Sequence, residues 1–170
     1  MRTAAGLLLL AGVALLLRST ALSVLSARGV ILDVLAFATV VWALRWGENW
    51  GSSFGFVLGL AADLDAAHWL GRHAFALALV GYAVGRLGRA LVRDNPLTQL
   101  VLLLAATAGH QAWALAFEVG RFEGLPFLLW RVLVASVATA PLGVVLLALL
   151  RYGSGGSLFG LAPVESGPRA

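Results

Sequence analysis

A chain of 170 residues that is 61% hydrophobic and 12% charged carries about half the charge share of an ordinary soluble domain. With a mean hydropathy of +0.93 and no long polar stretch, it is expected to be one integral membrane domain. Its net charge of +4 rests on twelve arginines scattered over short loops, with no lysine, which excludes a nucleic-acid footprint, while the absence of cysteine excludes disulfides, thiolate catalysis and cysteine-ligated metals.

Six stretches have the length and apolarity of a membrane span: 4–24, 29–46, 52–70, 74–91, 97–118 and 126–150. The expected fold is therefore all-α, with six transmembrane helices over residues 1–151. The first stretch has Arg2, an apolar run from Leu7 to Leu17 and small residues near Ser26 and Ala27. That pattern fits a cleaved signal peptide or an uncleaved first helix; the second option gives six spans. Asp33 stands near the start of the second span, where the helix dipole favours an anion.

The third span carries Gly51, Gly55 and Gly59, with Asp63 continuing the four-residue series. Residues four apart share one helix face, and small residues let helix backbones approach closely in lipid. Gly81, Gly85 and Gly88 form a second set on the fourth span, and the two glycine faces are expected to pack together. Asp63 falls well inside the predicted 52–70 span. A buried carboxylate there needs donors, for which the candidates are N–H groups at a neighbouring helix start, Arg72, His73 or Arg131.

The fourth span opens at His73 and ends in "GRLGRALVRDNP", the densest arginine cluster. With both termini inside, inner segments hold seven arginines and outer loops five, which favours that orientation. Trp42, Trp46, Trp50, Trp69 and Trp130 fall near span ends, as interfacial belts do. Pro96 opens the fifth span, where its missing N–H costs nothing. His110, Gln111 and Glu118 lie along that span, and Arg131 starts the sixth. Residues 152–170 are rich in Gly, Ser and Pro and are expected to form a flexible tail.

Three uses for these intramembrane polar groups compete. They pair with each other and cap helix ends; or Asp63, Asp65 and His68 bind a metal; or Asp63, His110 and Glu118 line a proton or transport path. Asp63 and Asp65 lie on different helix faces, and no recognised ligand spacing occurs. Nucleophile elbows, zinc-protease motifs and phosphate loops are missing as well. The sequence thus gives no catalytic, cofactor or metal site.

The order of these features resembles the MreD family. Asp33 begins "LDVLAFATVVWAL", a glycine turn "RWGENWG" follows, then "GFVLGLAADL", "HAFALALVGYAVGRLGRAL" and "RDNP". The likeness covers about residues 28–96, and Leu32 stands where the family usually has proline. The resemblance implies a non-enzymatic role in bacterial cell elongation and peptidoglycan synthesis, at the inner membrane. It implies an MreC-like partner with one membrane span, linked to RodA-type glycosyltransferases, class B penicillin-binding proteins and MreB. It also implies a fold similar to the substrate-binding S components of energy-coupling-factor transporters, so a vitamin- or small-molecule-binding S component is the alternative. In this view Gly51, Gly55, Gly59, Gly81 and Gly85 serve helix packing or a partner interface, and Asp33 and Asp63 are buried polar anchors.

Overall fold

The computed structural model describes residues 12–16, 32–66, 70–91, 95–116 and 125–153. Among them every regular element is an α-helix. These are α1 (residues 12–16), α2 (Val34–Trp46), α3 (Glu48–Ala66), α4 (Arg72–Ala90), α5 (Pro96–Ala116) and α6 (Leu125–Gly153). Each lies within a few residues of an expected span. Most of the first span, and the expected tail from residue 154 onward, lie outside the described residues.

Local chemistry sets the boundaries. Asp33 precedes α2, and its side chain accepts the Ala36 N–H at 3.0 Å, which satisfies one of the orphan donors of a first turn. α2 stops at Gly47, which adopts φ +84°, a conformation that costs glycine little. Gly47 is the only residue between α2 and α3, so the two helices form a tight hairpin. Glu48 then places an acidic side chain in the first turn of α3, where the dipole favours it. Asn95 caps α5 by accepting the Leu97 N–H at 2.9 Å, ahead of Pro96 at the first helical position.

α2 is the central shaft. Eight of its 13 residues are buried, and it touches α3, α4, α5 and α6. One apolar cluster joins Val40 and Leu44 of α2 to Leu102 and Leu103 of α5 and Leu147 of α6. A second joins Leu35 and Trp42 of α2 to Phe54 and Leu58 of α3, Leu77 of α4 and Ala14 of α1. The Thr39 hydroxyl, fully buried in this shaft, donates to the Leu35 carbonyl one turn back, so its polarity is satisfied locally.

The outer surface is apolar. Phe56, Val57 and Leu64 on α3, Leu97 and Val101 on α5, and Leu133 and Leu149 on α6 all point outward. So much exposed apolar surface needs a covering medium. α5 and the stretch Leu129–Leu149 of α6 are long and apolar enough to cross a membrane. α2, with 13 residues, is about 20 Å long, short of the roughly 30 Å hydrocarbon core. α3 and α4 have 19 residues each, but Asp63 and Asp65 on α3 and Arg72, Arg86 and Arg89 on α4 reduce their apolar character.

Candidate functional site

Five helices bring polar side chains to one end of the bundle. α3 supplies Asp63, which is 1% exposed. Its carboxylate accepts three backbone N–H groups: Gly71 at 2.9 Å, His73 at 3.0 Å and Ala74 at 3.2 Å. These belong to the start of α4, where N–H groups have no intrahelical partner. Gly71 occupies the cap position at φ +96° and has no side chain to cap with. The carboxylate of the preceding helix therefore does the work of an N-cap, with the favourable dipole sign.

The location of Asp63 corrects the sequence reading. The span expected over 52–70 is realised as a helix over Glu48–Ala66, so Asp63 sits in its last turn and not deep within it. The helix starts after the one-residue turn at Gly47 and ends at Ala66, ahead of the Gly71 cap of α4. Of the donors considered for Asp63, the helix-start N–H groups are those brought to it. The Arg72 guanidinium instead meets the His73 ring, Nη2 to Nε2, at 3.1 Å.

α2 supplies Asp33, 4% exposed. Its Oδ1 caps α2 through Ala36. Its Oδ2 lies 2.6 Å from His110 Nδ1 and accepts the Gln111 amide N–H at 3.0 Å, both from α5. The Asp33 N–H donates to Thr139 Oγ1 of α6 at 2.9 Å. One residue thereby ties α2, α5 and α6 together.

His110 extends the network. Its Nε2 lies 3.0 Å from Nδ1 of the buried His73 on α4. Trp113, one turn further along α5, donates its indole N–H to the Arg72 carbonyl at 3.0 Å. A continuous chain, Arg72–His73–His110–Asp33, runs from the half-buried edge of the bundle into its interior. It carries a guanidinium at one end and a carboxylate at the other, so its charges offset each other in a low-dielectric setting.

The glycine faces of α3 and α4 meet along their length. A Cβ at Gly55 would fall on the Leu77 carbonyl, at Gly59 on the His73 carbonyl, at Gly81 on the Gly51 carbonyl, and at Gly85 on the Glu48 amide. One at Gly51 would lie 2.6 Å from the Ala43 Cβ of α2. All five contacts are within the chain. At the opposite end of the bundle, Arg89 pairs with Glu48, and Arg45 lies over the Trp46 ring, 5.6 Å from its centroid.

The Asp65 side chain, His68 and Glu118 lie outside the described residues, so neither the metal triad nor the path ending at Glu118 can be placed. Among the described residues no group of three or more His, Asp or Glu is arranged to hold a metal ion. Sequence reasoning missed the link of His73 and His110 to each other and to Asp33. Each had been singled out as a polar residue in an apolar setting, but separations of 37 and 77 residues leave no local pattern to detect.

The arrangement joins helix ends. Each carboxylate accepts from three donors that position backbone or neighbouring side chains. The family model described as rod shape-determining protein MreD matches residues 5–152. No curated protein and no solved structure matches the chain significantly.

Proposed function

Because the chain belongs to the MreD family of rod shape-determining membrane proteins, we propose that it is a non-enzymatic scaffold of the bacterial cell-elongation machinery. The family is a shape-determining one and is not known for catalysis. In this reading residues 1–151 cross the cytoplasmic membrane six times, both termini are cytoplasmic, and residues 152–170 form a tail. The scaffold holds an MreC-like partner with one membrane span and so helps position RodA-type glycosyltransferases, class B penicillin-binding proteins and MreB.

The observation that carries this reading is the use made of Asp63. Counting from the Gly47 turn, Asp33 stands about 21 Å and Asp63 about 24 Å along their helices. With that turn at the inner edge of a roughly 30 Å hydrocarbon core, both carboxylates are still inside it. A charge at the bilayer centre costs about 2.5–3.5 kcal/mol on insertion scales, which is an upper bound for carboxylates this far from the centre. Here that cost accompanies three backbone hydrogen bonds at Asp63 and a three-helix junction at Asp33. Groups used in this way specify one arrangement of helices, as a binding platform requires. Since the glycine faces are occupied within the chain, the partner is assigned to the outward apolar faces.

Native mass spectrometry of protein gently extracted from its own membranes tests the proposal. The expected result is a stoichiometric second chain with one membrane span. A bound molecule of a few hundred daltons, with no such chain, would replace the scaffold by the transporter S-component alternative.

A further inference from the structure

We propose that the outward face of α4 binds one anionic phospholipid, with the Arg86 guanidinium and the Tyr82 hydroxyl on its phosphate and Leu79 and Phe75 along an acyl chain. This site requires the membrane setting of the chain but not the scaffold role.

Phe75, Leu79, Tyr82 and Arg86 follow one another at intervals of four, three and four residues, which keeps them on one helix face. All four are exposed. The other side of α4, at Gly81 and Gly85, is closed by the α3 backbone, so the stripe is left to the surroundings. Its groups are ordered as a lipid is ordered: two apolar side chains, then an aromatic ring with a polar tip, then a cation. The eleven residues from Phe75 to Arg86 rise about 17 Å, close to half of the roughly 30 Å hydrocarbon core. The stripe therefore matches the depth of one leaflet. Its charged end lies level with the Gly47 turn, because the neighbouring Gly85 packs on the Glu48 amide. At its deep end Phe75 rests against Trp113 of α5, with ring centroids 5.3 Å apart.

The charge at the top of the stripe calls for an anion. Arg86 Nη1 donates to the Tyr82 hydroxyl oxygen at 3.2 Å, which uses one of the five N–H donors of a guanidinium. The Tyr82 hydroxyl accepts that bond and keeps its own proton to donate. Among the described residues no carboxylate pairs with Arg86, whereas Arg89, three residues on, has Glu48. Two arginines on one helix thus differ in that only Arg89 has a protein anion. A phosphate oxygen beside Arg86 would accept from the guanidinium and from Tyr82 together. The planar guanidinium suits phosphate, and a tyrosine ring sits naturally at headgroup level. A zwitterionic lipid brings its own cation beside the phosphate and gains less here, so the site favours a lipid with net negative charge.

The test is native mass spectrometry of the full-length protein in detergent, titrated with an equimolar mixture of dioleoyl phosphatidylglycerol and dioleoyl phosphatidylcholine. The first bound lipid should be phosphatidylglycerol in about fivefold excess, the gain expected of one arginine at an anionic surface. Arg86→Gln should bring the two lipids close to parity, and Tyr82→Phe should lower the excess part of the way. Arg89→Gln makes the same change in net charge and should retain the excess. Arg86 and Tyr82 are exposed, so the unfolding midpoints of their variants should equal that of the parent in detergent alone. Equal uptake of the two lipids by the parent, or an excess that survives Arg86→Gln, would overturn the proposal. An equal loss in Arg86→Gln and Arg89→Gln would overturn it as well, by making net charge the cause. A co-purifying protein chain lost with Arg86→Gln, at an unchanged lipid ratio, would reassign the stripe to a protein partner.

Discussion

Replacing Asp63 by leucine would leave the N–H groups of Gly71, His73 and Ala74 without their acceptor. A buried donor stripped of its partner costs about 1–3 kcal/mol. Asp63→Leu should accordingly lower the thermal unfolding midpoint in detergent. Asp63→Asn keeps a carbonyl oxygen in place and should fall between the two. Equal midpoints for the leucine variant and the parent would show that the cap contributes nothing. The Arg89–Glu48 pair is a useful contrast. The Arg89 side chain is 55% exposed but that of Glu48 only 15%, so the pair is half-buried and Arg89 is a donor to a largely buried carboxylate. Arg89→Gln, which keeps an amide donor for Glu48, should lower the midpoint less than Asp63→Leu, which strips three backbone donors, and a drop as large as that of Asp63→Leu would contradict the ranking of the two sites.

Among elements, α3 and α4 pack most closely, backbone against backbone. Gly55 and Gly59 face backbone carbonyls, which cannot rotate away as a side-chain tip can. Gly55→Leu has to separate the two helices, and overpacking of this kind costs about 1–3 kcal/mol. Gly109 on α5 has open space where its Cβ would stand, so Gly109→Ala should be neutral or raise stability by about 0.4–1 kcal/mol. Midpoints from intrinsic tryptophan fluorescence check both. If the two substitutions behave alike, glycine spacing in α3 reflects composition and not close packing. α2 is the other decisive element. At 13 residues it stops short of a full span because Asp33 both caps it and joins it to α5 and α6.

At the scale of the whole molecule, the orientation proposed from the arginines is checked by fusing a reporter after residue 151, which should be active only in the cytoplasmic form. Much of the helical layout was legible in the sequence. Long apolar runs separated by Gly47, Gly71 and Pro96 marked α2 through α6 to within a few residues, because lipid-facing helices need little beyond apolar length and a stop signal. The place of Asp63 in the last turn of α3 was not legible, because the helix runs over Glu48–Ala66 and not over 52–70. The histidine pair was not legible, because Asp33, His73 and His110 meet only after three helices have packed. The most direct test of the central claim, that intramembrane carboxylates organise a partner platform, is recovery of the single-span partner chain with Asp63→Leu, measured at equal membrane levels against the parent. The account predicts normal insertion and a several-fold loss of partner. Full partner recovery with Asp63→Leu would contradict it.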